Sequence, residues 1–232
     1  MRSSRRCGRF ATVRGEAPAL DPDRKLALAY VPAARRPAID ALWRLDVTLG
    51  GVLATGREPK VSRIRLAWWR EALERLDQAS PPPEPVLAGV AAHVLPCGLT
   101  GAQLAKMEEG WLVLLEPEVG MADLDFYADM RGGLLFRFSA LLLGEDGEVD
   151  AAGARWALID LARRCAGVED RQAAFAAART RSSVDRWPKR LRPLGMLDRL
   201  AGRDLKRGPD AVEKQGAPAR MLRMLRHRLT GR

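Results

Sequence analysis

Wherever apolar residues in this chain form a pattern, they return at helical spacing. Ile39, Leu42, Trp43, Leu45, Leu49 and Leu53 recur at intervals of about one turn. In VSRIRLAWWREALERL, residues 61–76, the side chains of Ile64, Leu66, Trp68, Ala72 and Leu76 share one broad face. Leu, Ala and Arg dominate while β-branched runs are nearly absent, so propensity favours helices and leaves little from which to build a sheet. With 232 residues, 47% of them hydrophobic, the chain can bury one medium core. These features predict an all-α protein, with one helical domain over residues 20–232 behind a flexible basic segment at residues 1–19.

Prolines, glycines and capping residues divide the pattern. Asp21 before Pro22 opens a short helix that ends ahead of Pro32, and a longer amphipathic helix follows over residues 33–54. Gly50 and Gly51 fall inside it, each costing about 1 kcal/mol relative to Ala, so they imply a kink, a close contact or an early end. Ser62 caps the next helix, in which Trp68 and Trp69 point about 100° apart, one inward and the other toward a groove or interface. Residues 80–85, SPPPEP, form a connector, and Thr100 with Gln103 makes a capping box that opens a helix through residue 115. Further helices are predicted over residues 123–143, over 151–179 with a split near Gly167, over 194–205 and over 217–229. The charge-free stretch 86–105 is interrupted by Pro96, Gly98 and Gly101, so it is not a single membrane span.

The net charge of +10 is unevenly placed: residues 1–14 contribute +5 and residues 181–232 contribute +10, which leaves −5 on the body between them. Basic ends of this kind are drawn to phosphates or an anionic lipid surface, or are simply solvated. Specific nucleic-acid recognition would need the charge organised on a module, and the acidic body argues against it. Cys7, Cys97 and Cys165 have neither disulfide-framework nor zinc spacing, and His93 and His227 lack a second ligand at metal spacing. No nucleophile elbow, P-loop or dinucleotide fingerprint is present. The Arg- and Ser-rich start resembles an organelle transit peptide and equally a basic bacterial N-terminus.

The segments DRKLALAYVPAARRPAIDALWRLD (residues 23–46) and REPKVSRIRLAWWREAL (57–73) are similar to the start of squalene/phytoene synthase family proteins. DFYADMRGGLLFRFSALLLG (125–144) resembles the family's Tyr-containing helix that lines an isoprenoid cavity, and residues 188–207 fit the family's end more loosely. The resemblance implies an isoprenoid synthase-like helical bundle around a deep apolar pocket. In active members it implies Mg²⁺ held by aspartates from two helices, which stabilises the pyrophosphate leaving group in a dry cavity. It also suggests Arg24, Arg36 and Tyr127 as substrate-binding candidates.

Placed by that resemblance, the family's first aspartate motif falls on Gly50, Gly51, Val52, Leu53 and Ala54, so its three acids are lost at Gly50, Gly51 and Ala54. The second motif should fall after Ala151, where no register supplies it. The acids that remain as metal candidates, should the protein be active, are Asp46, Asp125, Asp129 and Asp160. Each also has a structural reading: Asp46 as a surface or ion-paired residue, Asp125 and Asp129 as first-turn acids meeting the helix dipole, and Asp160 as a partner of Arg163 or Arg164. The expected function is non-catalytic binding or assembly at a membrane's edge, by analogy with a family branch that assists assembly of respiratory complex I. No cofactor is then expected, and the partner is a protein or an apolar isoprenoid or lipid. An active Mg²⁺-dependent prenyl transferase and an isoprenoid or lipid carrier are the alternatives. The expected location is cytoplasmic and peripheral to a membrane, or an organelle matrix if the first residues act as a transit peptide.

Overall fold

A computed structural model describes residues 19–56 and 58–232. The expectations placed on the basic N-terminal segment and Cys7 lie outside the described residues. Among those residues there are twelve α-helices and no strand, so the all-α reading holds.

Local chemistry sets the first elements. α1 (Pro22–Ala29) starts where the Asp21 carboxylate accepts the N–H groups of Asp23 and Arg24, each at 3.0 Å. α2 (Arg36–Thr55) continues unbroken through Gly50 and Gly51, and of the three explanations for that pair, close contact is the observed one. A β-carbon on Gly50 would sit 2.7 Å from Cη2 of Trp111, whereas one on Gly51 would meet nothing within 4 Å. α3 (Pro59–Arg75) buries Trp69 and leaves Trp68 46% exposed, which divides the tryptophan pair as their angular spacing demands.

The next stretch departs from expectation in two ways. α4 (Pro85–His93) forms directly after the proline connector because the Glu84 carboxylate accepts the Leu87 N–H at 2.7 Å. The Thr100–Gln103 capping box is present, but the helix it opens is divided into α5 (Gly101–Ala105) and α6 (Met107–Val113). A tight turn separates them, with the Glu109 N–H donating to the Lys106 carbonyl at 3.3 Å. Among the described residues no single helix is long and apolar enough to cross a membrane; the 85–97 and 101–113 stretches reach that composition only together, bent by 120°.

Residues 123–143 are not one regular α-helix. α7 (Met121–Tyr127) passes through a π-helical turn, Ala128–Gly133, into α8 (Leu134–Leu142). The wide turn coincides with a very close approach to α9 (Asp150–Ala162). A β-carbon on Gly132 would lie 2.6 Å from Cβ of Ala157 and nearer still to the Gly153 carbonyl oxygen, and one on Gly153 would strike the Gly132 carbonyl oxygen in return. Residues 152–162 of α9 are all buried, which makes it the central helix and explains why its Ala-rich sequence shows little amphipathic contrast.

α10 (Val168–Arg179) is separated from α9 near Gly167, and α11 (Arg192–Arg207) and α12 (Pro218–Thr230) complete the bundle. The buried apolar cluster extends from Leu20 to Met224 and includes Trp43, Trp69, Trp111, Trp156 and Trp187. α12 is held to α1 and α11 by charge: Arg220 donates to Asp23 at 2.8 Å and to Asp204 at 2.7 Å, all three side chains being buried.

His227 of α12 is buried as well. Burial pushes its imidazole down from 6.5 to about 4, against an opposing backbone contact with Arg232 and with Arg199, Arg192 and Arg223 adding to the depression. The folded state therefore holds His227 neutral while the unfolded chain takes up a proton below 6.5. Stability is full above that value and falls as pH drops toward 4, by roughly 1 kcal/mol per pH unit within the window. His227→Gln should flatten that part of the curve. Urea midpoints of both proteins measured across the window check this, and equal slopes would remove His227 as the cause.

Candidate functional site

Four of the residues picked out from sequence meet at the centre of the bundle. Arg24 comes from α1, Asp46 from α2, Tyr127 from α7 and Asp160 from α9, and all are buried. Arg131, from the π-helical turn, joins them together. It donates through Nε and Nη2 to the two oxygens of Asp46 at 2.8 and 3.0 Å, through Nη2 to Asp160 at 2.7 Å, and through Nη1 to the Tyr127 hydroxyl. Arg24 donates to Asp46 at 2.9 Å, and Arg164, one turn beyond Asp160, donates to it at 3.2 Å. Asp46 is thus ion-paired as one reading held, but it lies in the core, not at the surface. Arg163, its sequence neighbour notwithstanding, turns away to Asp204 at 2.6 Å.

Aromatic rings enclose this lattice. The Arg131 guanidinium stands 4.2 Å from the Trp111 ring centroid and 5.1 Å from that of Trp156, and Arg24 stands 4.8 Å from Trp156. Trp111 reaches the centre across Gly50, so the glycine provides the space for a ring that covers the ion pairs. Burial alone would raise the Asp46 and Asp160 carboxyls, but the facing guanidinium groups outweigh it and hold both below the ordinary carboxylate value. Burial also keeps the Tyr127 phenol above its ordinary value, and therefore protonated.

The family model for squalene/phytoene synthase matches residues 18–166, well over half of the chain. The chain belongs to the squalene/phytoene synthase family. No curated protein and no solved structure matches it. The matched stretch holds every member of the central lattice, so the isoprenoid synthase-like bundle and the ion pairs inside it belong to the same part of the chain.

The other residues singled out from sequence lie elsewhere. Asp125 and Asp129 both accept from Arg181, at 2.8 and 2.7 Å, with their side chains about half exposed. Arg36 donates to the Ala29 and Val31 carbonyls at 3.1 and 3.0 Å, closing the C-terminal end of α1. Gly51 and Ala54 are half-buried on α2. The four candidate carboxylates accordingly form two pairs with different arginine partners.

The donor set of the central pair does not suit the magnesium cluster that catalytic members of this family need. Hard cations require several oxygen ligands, and the Asp46 and Asp160 oxygens already accept guanidinium N–H groups. Among the described residues, no three His, Cys, Asp or Glu side chains converge as a metal site would demand. A cavity of about 20 Å³ between Asp160, Asp23, Asp204 and Arg220 has room for about one water molecule. A larger open groove of about 410 Å³ lies between residues 147–152 and 182–191, against Val149, Val184, Trp187 and Leu191, and none of the four carboxylates lines it.

Sequence reasoning missed Arg131, Trp111 and Trp156 as parts of this centre. Arg131 had one local signal, the two glycines that follow it in ADMRGG, which mark a place where backbone comes close to backbone.

Proposed function

We propose that this squalene/phytoene synthase family protein does not condense prenyl diphosphates and acts instead as a binding or assembly factor. The observation that carries the reading is the Arg24–Asp46–Arg131–Asp160 lattice. It pairs the two buried candidate carboxylates, Asp46 and Asp160, with fixed counter-cations, and it is covered by Trp111 across Gly50. Building such a lattice from two acids and two buried guanidinium groups, with Arg164 at its edge, removes the affinity for divalent cations while keeping the charges satisfied in a dry interior. What the fold then offers is its outer surface.

The test is direct. Purified protein is mixed with farnesyl or geranylgeranyl diphosphate and Mg²⁺, and pyrophosphate is measured over time. No release above a protein-free blank is expected. Sustained release that requires Mg²⁺, and that Asp125→Ala or Asp46→Asn abolishes, would overturn the proposal and restore the transferase alternative.

A further inference from the structure

α12 is inverted relative to an ordinary surface helix. Its buried face carries Arg220, Met224 and His227, while its outward face carries Leu222 at 70% exposure and Leu229 at 79%. Leu222 and Leu229 point away from the bundle, Leu225 stands between them at i+3 and is partly buried, and Met221 (40% exposed) widens the ridge. Arg223 and Arg226 flank the ridge on one side and Arg228 on the other. From Lys214 to Arg232 there is no acidic residue. Around the end of the helix, the segment containing the exposed Arg186, Lys189 and Arg190 is tied in by the Trp187 N–H, which donates to the Gly231 carbonyl at 3.0 Å. Tyr30, also at the surface, lies under Arg228 with 5.5 Å between guanidinium and ring centroid.

We infer that this face of α12 docks in the plane of an anionic phospholipid membrane. An apolar ridge with arginines on both shoulders and no acid matches the layering of a lipid interface, where acyl chains lie beneath a sheet of phosphates. Leu222, Leu225 and Leu229 enter the boundary between headgroups and chains. Arg223, Arg226 and Arg228 meet the phosphates, with Lys189 adding long-range attraction and Tyr30 suited to the headgroup level. Charge complementarity is the reason to prefer a lipid surface to a second copy of the chain, since two copies of this face would set arginine against arginine. The inference deepens the binding role proposed above by naming a surface that is bound. Its test reads binding, not turnover, so either can fail without the other.

The full chain is floated with vesicles of phosphatidylcholine alone and of three parts phosphatidylcholine to one part phosphatidylglycerol. Binding to the anionic vesicles only, weakening as salt is raised, is expected. Leu222→Ser with Leu229→Ser should reduce that binding at least about tenfold, and Arg226→Glu should do so most strongly at low salt. All three positions are solvent-facing, and an unchanged melting temperature verifies that the fold is kept. Equal flotation of the parent and the double variant, or no flotation of the parent, overturns the proposal. So does a parent that is dimeric by light scattering and becomes monomeric in the double variant, because a second copy would then be the occupant.

Discussion

Arg131→Ala should lower the free energy of unfolding by about 3–5 kcal/mol. The guanidinium is 1% exposed and serves Asp46, Asp160 and Tyr127 at once. Removing it leaves two buried carboxylates with fewer cations than they need, and the cost is the desolvation of a charge that has lost its partner. In a chain of this length the melting temperature should fall by roughly 10 °C or more, measurable by calorimetry. A double-mutant cycle with Asp46→Asn makes the claim sharper. The two single losses should exceed the loss in the double variant by well over about 1 kcal/mol, because neutralising both partners removes the stranded charge. Strict additivity would mean that the two side chains do not act together. The carboxylates also give the protein an acid limit of their own: with their folded values below 3.8, their contribution is intact above it and is lost as pH falls further.

Gly153→Ala should be nearly as damaging, at about 3 kcal/mol. The new methyl group would lie 2.8 Å from Cβ of Phe136 and within the shell of the Gly132 carbonyl oxygen. Backbone cannot rotate out of the way as a side chain can, so α9 and the π-helical turn would have to separate. Arg131 and Asp160 sit on those two elements, and the central lattice would loosen with them. Gly51→Ala is the matched control. It meets nothing within 4 Å, and a helix interior gains about 1 kcal/mol from alanine in place of glycine. Denaturant titration of both variants should therefore give opposite signs. A neutral Gly153→Ala would show that the two helices are not pressed together at that point.

The helices were legible because their ends are written locally. Asp21 before Pro22, the Thr100–Gln103 box and the break near Gly167 all act within four residues of themselves. Individual members of the central lattice, Arg24, Asp46, Tyr127 and Asp160, could also be named from the sequence, by resemblance and by being the few acids left. Their assembly could not. Arg131 and Asp46 are 85 positions apart, and nothing near either residue states that they pair. The π-helical turn escaped for a related reason, since a reading based on 3.6-residue periodicity assumes the regularity that the turn breaks. Gly50 was ambiguous in sequence because its explanation, Trp111, belongs to another helix.

The bond between Arg220 and Asp23 joins residues 197 positions apart. If α12 peeled away alone, Asp23 and Asp204 would lose the counterion they share, and the packing of Met224 and His227 against the bundle would be lost with it. Detachment of that helix should therefore coincide with global unfolding instead of occurring as a local fluctuation. An outward leucine ridge on such a helix is presented already rigid, so whatever it meets is spared the entropy of ordering it.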